Sequence, residues 1–187
     1  MDFDFNDHTN YPFIAHLEAH AEALVAEGCA LDDSAFFPLP QDDEESSGDG
    51  FFVCPIFLNA HEDDVPAEIL ARGRARCPSA ARILGTIEGL KLGGYMALPP
   101  GGSVEARSEE RDDDVVRAYL AVQLPDDERA QWEVGTVRLI DPRLPLGTSN
   151  TSANRRLVLI VDVKMGFPIP DRALHHWGPE LPPEGEE

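Results

Sequence analysis

From Tyr95 to Val163 the chain is a succession of short apolar runs cut by turn residues, and this feature constrains the fold more than any other. Tyr95 to Leu98, Val115 to Leu124, Val134 to Ile140 and Arg155 to Val163 have the composition of strands. Pro99-Pro100-Gly101-Gly102, Pro125-Asp126-Asp127 and Asp141-Pro142 punctuate them. The series ends in Arg-Arg-Leu-Val-Leu-Ile-Val-Asp-Val, the pattern of a small barrel whose mouth holds a site. Helical patterning is confined to the N-terminal half. Together these predict an α+β protein with a barrel or jelly-roll sheet.

Asn10-Tyr11-Pro12-Phe13 opens the first helix, with Pro12 in the first turn, where its missing N–H costs nothing. Phe13, Leu17, Ala21, Leu24 and Val25 recur at helical spacing, and Gly28 marks the stop. A second helix starts at Val65 to Ala71 and a third spans Pro78 to Leu84, with Gly85 after it. Between them, Phe36 to Pro40 reads as an apolar loop or edge, and Gln41 to Gly50 as an acidic, mobile stretch. Phe51-Phe52-Val53 and Ile56-Phe57-Leu58 are strands or the lining of a cleft, so region 31–64 is either a lid or part of the core. The 187 residues make one domain: a helical and acidic region over 1–92, a strand core over 93–165 and a Pro-rich acidic tail over 166–187.

The formal charge of −20 is unevenly placed. No Lys or Arg precedes Arg72, and the first 64 residues carry 16 of the 35 acidic side chains; the remainder balances 19 acidic residues against 15 basic ones. This argues against nucleic acid and anionic membrane as partners, because both demand a basic footprint. Cys29, Cys54 and Cys77 have no paired spacing, so Cys54-Pro55 and Cys77-Pro78 read as small buried residues beside turns. His16 and His20 stand one turn apart but lack a nearby third ligand, which favours a half-exposed helix face over a metal site. The start of the chain lacks signal-peptide character and no apolar run approaches 18 residues, so the expected setting is soluble and cytoplasmic.

Tyr11-Pro12-Phe13-Ile14 followed by Leu17-Glu18, Cys77-Pro78 before a short helix, Tyr95 to Gly101 running into Pro-Gly, Arg117 with Tyr119 and Leu120 before Leu124-Pro125, Trp132-Glu133-Val134-Gly135, and Arg156 to Val163 occur in this order. In that arrangement the chain resembles the aspartyl/asparaginyl β-hydroxylase family. The resemblance implies a double-stranded β-helix of cupin type that uses Fe(II), 2-oxoglutarate and O2. It also exposes a departure. The first iron-ligand histidine falls on Arg107 and the second on or near Leu146, and no His occurs between His61 and His175. Neither residue supplies the imidazole that suits Fe(II). A guanidinium about 4 Å from a dication adds roughly 8 kcal/mol of repulsion at an effective dielectric of 20.

What the resemblance retains is the arginines. Arg117 and Arg156 match those that hold the co-substrate carboxylates, Tyr119 replaces a histidine there, and Met96 a serine. With Arg107 and Leu146 they imply an anion pocket, since guanidinium forks bind carboxylates bidentately. The plainer readings are that Arg117 pairs with Asp112, Asp113 or Asp114 and that Arg156 is a strand-end surface residue beside Arg155. Glu109 and Glu105 are candidate general acids or bases, with Tyr119 as a further proton donor. The run from Glu109 to Asp114 reads equally well as a solvated turn. The expected function is a metal-independent, non-redox enzyme acting on a carboxylated small molecule by cyclisation, condensation or isomerisation, in secondary-metabolite biosynthesis, with no cofactor. The alternatives are an Fe(II)/2-oxoglutarate hydroxylase with atypical ligands and a non-catalytic anion-binding protein. The sequence leaves the oligomeric state open.

Overall fold

A computed structural model describes residues 7–38, 50–58, 66–107, 114–129, 131–140 and 146–167. The chain is a mixed α/β protein built on an antiparallel sheet of six strands. Helices α1 (Pro12–Ala19), α2 (Ala21–Cys29), α3 (Ala67–Arg76) and α4 (Pro78–Leu84) come from the N-terminal half. The strands are β1 (Phe37–Pro38), β2 (Phe52–Leu58), β3 (Leu90–Leu98), β4 (Ser103–Arg107), β5 (Val115–Gln123), β6 (Val137–Ile140), β7 (Leu146–Ser149) and β8 (Arg156–Lys164), with a one-turn helix α5 (Asp126–Arg129) after β5. The sheet order is β1-β2-β3-β8-β5-β6, and β4 pairs with β7 in a separate two-stranded ladder. No helix among the described residues is long and apolar enough to cross a membrane.

Period-two alternation sorts the strands into two faces. Tyr95 and Ala97 of β3, Val116, Ala118, Leu120 and Val122 of β5, and Leu157, Leu159, Val161 and Val163 of β8 join Phe13, Ile14, Leu17 and Leu24 of α1 and α2 in the larger core. Met96, Tyr119, Ala121, Ile140, Val158 and Ile160 point the other way and form a second cluster with Leu124 and Trp132. Both faces of the central strands are thus buried, which explains why Arg156 to Val163 reads as an almost unbroken apolar run.

Several boundaries differ from the sequence reading. The first helix is two, because the backbone at His20 leaves helical geometry (φ −112°, ψ 11°) and α2 restarts at Ala21. Its end at Cys29 lies one residue past Gly28. β3 begins at Leu90 and runs through Gly93-Gly94 instead of starting after them. The reason is close approach: a Cβ on Gly94 would stand 2.7 Å from the Cys54 carbonyl oxygen of β2. β2 is one strand, carried past Pro55 by an irregularity between Pro55 and Phe57. Phe36, Phe52 and Phe57 pack against the larger core, so this part of region 31–64 is core; residues 39–49 lie outside the described ones. β6 starts three residues later than expected because Gly135 takes a left-handed turn (φ 86°).

One contact fixes α3 to the sheet and another fixes α4 to α2. Gly73 of α3 sits directly on β2, where an added Cβ would come within 1.8 Å of the Pro55 carbonyl oxygen. Gly73→Ala is therefore expected to force helix and strand apart at a cost of about 1–3 kcal/mol, read as a lower urea midpoint with an unchanged slope. Glu27 of α2 accepts hydrogen bonds from the Ser79 and Ala80 backbone N–H groups at 2.7 and 2.8 Å, satisfying the first turn of α4. Both helices thereby hold β2 and β3 in place from the side opposite the candidate site.

Candidate functional site

Four of the residues singled out from sequence share the face of the sheet opposite α1 and α2. Register pairing sets them in rows. Leu92, Asp162, Arg117 and Ile140 are neighbours in one; Gly94, Ile160, Tyr119 and Arg138 in the next; then Met96, Val158 and Ala121; and last Leu98 with Arg156. Met96 and Tyr119 occupy the middle of this face, among Leu124, Trp132, Ile140, Val158 and Ile160, with Phe51, Val53 and Leu92 packed against them. A charged pair lies at each end.

At one end Arg117 donates from Nε and Nη2 to the two carboxylate oxygens of Asp162, at 2.8 and 3.1 Å. Both side chains are buried. Arg117, read from sequence as a substrate-carboxylate ligand, has its bidentate fork on the carboxylate of Asp162 in the neighbouring strand. Of the carboxylates near it in sequence, Asp114 pairs with Lys164 at 3.3 Å, and Asp112 and Asp113 lie outside the described residues. A lone carboxylate in Leu-Val-Leu-Ile-Val-Asp-Val was the available signal, since a charge buried on a central strand needs a counter-charge.

At the other end Arg156, only 2% exposed, donates from Nε to Glu128 Oε2 at 2.9 Å. Adjacent strand residues face opposite ways. Accordingly Arg155 turns toward the N-terminal segment, donating to the Leu31 carbonyl at 2.7 Å and lying 5.4 Å from the Phe36 ring. Arg156 is therefore a buried residue and not part of a strand-end surface. Arg138, the cross-strand neighbour of Tyr119, stacks 5.1 Å over the Trp132 ring and donates to the Gln131 carbonyl. Burial holds the guanidinium pKa of Arg156 and of Arg138 below the ordinary arginine value, and the Glu128 carboxylate opposes that shift in each. Both remain cations, as arginine does throughout the accessible pH range. Glu128 thus acts on two guanidiniums at once. Sequence reading missed Glu128, Trp132 as a ring platform and Arg138, because each acts through residues distant along the chain.

The second ladder carries the positions matched to the iron ligands. Arg107 of β4 and Leu146 of β7 are register partners, so the two positions that the resemblance matches to iron ligands lie across the ladder from one another. Glu105 lies on β4, and Glu109 lies outside the described residues. The ladder is tied to the main sheet by Asn150, whose Nδ2 donates to the carbonyls of Leu98, Pro99 and Asn154. Among the described residues no group of three His, Cys, Asp or Glu is placed to hold a metal ion. His16 and His20 contact Thr86 Oγ1 and the His16 carbonyl, respectively, on the helix side. Arginine and leucine side chains supply no imidazole or carboxylate donor of the kind that suits iron.

No protein-family model and no curated protein matches the chain. Among solved structures it is similar to AviO1 from Streptomyces viridochromogenes Tue57, with 18% identity, covering 86% of this chain and 87% of that one at a TM-score of 0.38. A prolyl-4-hydroxylase from Pseudomonas putida is similar at 15% identity over 82% and 86%, with a TM-score of 0.29. TT1209 from Thermus thermophilus is similar at 19% identity over 42% and 76%, with a TM-score of 0.28. Likenesses of this depth assign neither family nor activity.

Proposed function

We propose that the chain is a metal-independent enzyme that binds a carboxylated small molecule on the sheet face opposite α1 and α2 and acts on it by proton transfer. The observation that carries this reading is the gathering of Tyr119, Glu128, Arg138 and Arg156 beside an apolar wall of Met96, Trp132, Val158 and Ile160. Such a wall excludes water and strengthens each charge it surrounds. The order β3-β8-β5-β6, set against the β4-β7 ladder, supports reading the two ladders as opposite walls of a double-stranded β-helix. Arg156 and Arg138 hold the ligand carboxylate, for which the Glu128 carboxylate paired with Arg156 is a competitor. Tyr119 is the proton donor at the centre of the face, with Glu105 and Glu109 as further proton carriers from β4 and the segment beyond it. Cyclisation, condensation and isomerisation need only the orientation and proton transfer that such a site supplies.

The test is titration of the full chain with mono- and dicarboxylates, 2-oxoglutarate among them, read by calorimetry and by thermal shift with and without chelator. Saturable binding that ignores chelator supports the reading, and turnover of a bound acid makes the chain an enzyme. Binding without turnover of any acid in the panel favours a non-catalytic carrier. Stoichiometric iron uptake under anaerobic loading, with 2-oxoglutarate decarboxylation, overturns the reading.

A further inference from the structure

Cys54 and Cys77 lie 23 positions apart in sequence, yet their sulfurs approach to 3.8 Å. Both are buried. Cys54 sits in the middle of β2, its backbone paired with Tyr95 of β3, and Cys77 is the corner residue between α3 and α4. The contact of Gly73 with the Pro55 carbonyl presses α3 onto β2 one turn before that corner, so backbone packing sets the two thiols against each other. Their surroundings differ. Glu27, spent on the Ser79 and Ala80 N–H groups, raises the cost of negative charge at both sulfurs and Arg76 reduces it at both, whereas Arg72 reduces it at Cys54. The hydrogen bond to Cys54 and burial push the Cys77 thiol far up, while the same hydrogen bond favours thiolate at Cys54.

We infer that Cys54 and Cys77 are a reversible disulfide site that locks the α3–α4 corner to β2 under peroxide. The Cys54 thiolate attacks the O–O bond of hydrogen peroxide, forming a sulfenic acid and releasing hydroxide. The Cys77 sulfur then displaces the sulfenic oxygen as water. Two thiols are oxidised by two electrons and one peroxide becomes two waters. Dithiol reductants reverse the bond. Cys29 is exposed and its sulfur lies 3.9 Å from the Val122 carbonyl oxygen, so it remains a third, separate thiol.

The experiment treats the full chain with hydrogen peroxide at low stoichiometry, then counts thiols after denaturation and maps the linked peptides by mass spectrometry. The expected result is a loss of about 2 Da, a Cys54–Cys77 link, and a rise in Tm of roughly 5–10 °C that dithiothreitol removes, as expected for a loop of this size. Cys29→Ser keeps the shift, and Cys77→Ser abolishes it. Should Cys77→Ser fail to fold, peptide mapping of Cys29→Ser still decides. A link involving Cys29, three free thiols under conditions that fully oxidise a reference dithiol, or a lower Tm on oxidation overturns the proposal.

Discussion

Arg117→Ala is expected to cost about 3–5 kcal/mol, because it leaves the Asp162 carboxylate buried without its bidentate partner. Against a typical stability of about 5–15 kcal/mol this is a large share, and it corresponds to a fall in Tm of roughly 6–20 °C. Asp162→Ala should do comparable damage by stranding the guanidinium. The double replacement Arg117→Met with Asp162→Leu is expected to recover most of the loss, since two apolar side chains of similar volume need neither a counter-charge nor hydrogen bonds. Chemical denaturation of the two single variants and the double variant gives the coupling directly. A loss below about 1 kcal/mol in both single variants would mean that water reaches the pair.

The second large effect concerns binding. Arg156→Ala should weaken a carboxylate ligand by about 2–5 kcal/mol, from roughly 30-fold to several thousand-fold in Kd, because the guanidinium works in a desolvated setting. Glu128→Gln should act in the opposite direction. The native carboxylate competes with the ligand for the same guanidinium, and the neutral amide competes less well. Calorimetric titration of the three forms, each checked for retained secondary structure, reads both signs. Equal affinity in all three would return Arg156 and Glu128 to a purely structural ion pair.

How far the sequence led can be judged strand by strand. The runs at Val115, Val134 and Arg155 fall on β5, β6 and β8, because each carries several β-branched or aromatic residues between clear turn signals. β4 and β7 were not legible. Ser103–Arg107 and Leu146–Ser149 are short and polar, and what makes them strands is their pairing with partners far along the chain. The same limit governs the site. Alternation along β5 places Arg117 and Tyr119 on one face from sequence alone, whereas the register between β5 and β8 decides that Arg156 shares it. The choice of Asp162 for Arg117 and of Glu128 for Arg156 depends on register and on where α5 folds back, which no local pattern encodes. Asp162 stands 45 positions from Arg117, well beyond the carboxylates that proximity along the chain brings to mind.

Strand length falls from the middle of the main sheet to its borders. Its interior members β3, β5 and β8 each span nine residues, whereas β1 and β6 at its borders have two and four. β1 ends in Pro38, which has no amide hydrogen to offer. Among the described residues, a foreign strand aligning itself with β1 or β6 would therefore find few backbone groups to pair with, which limits edge-to-edge stacking at those two strands.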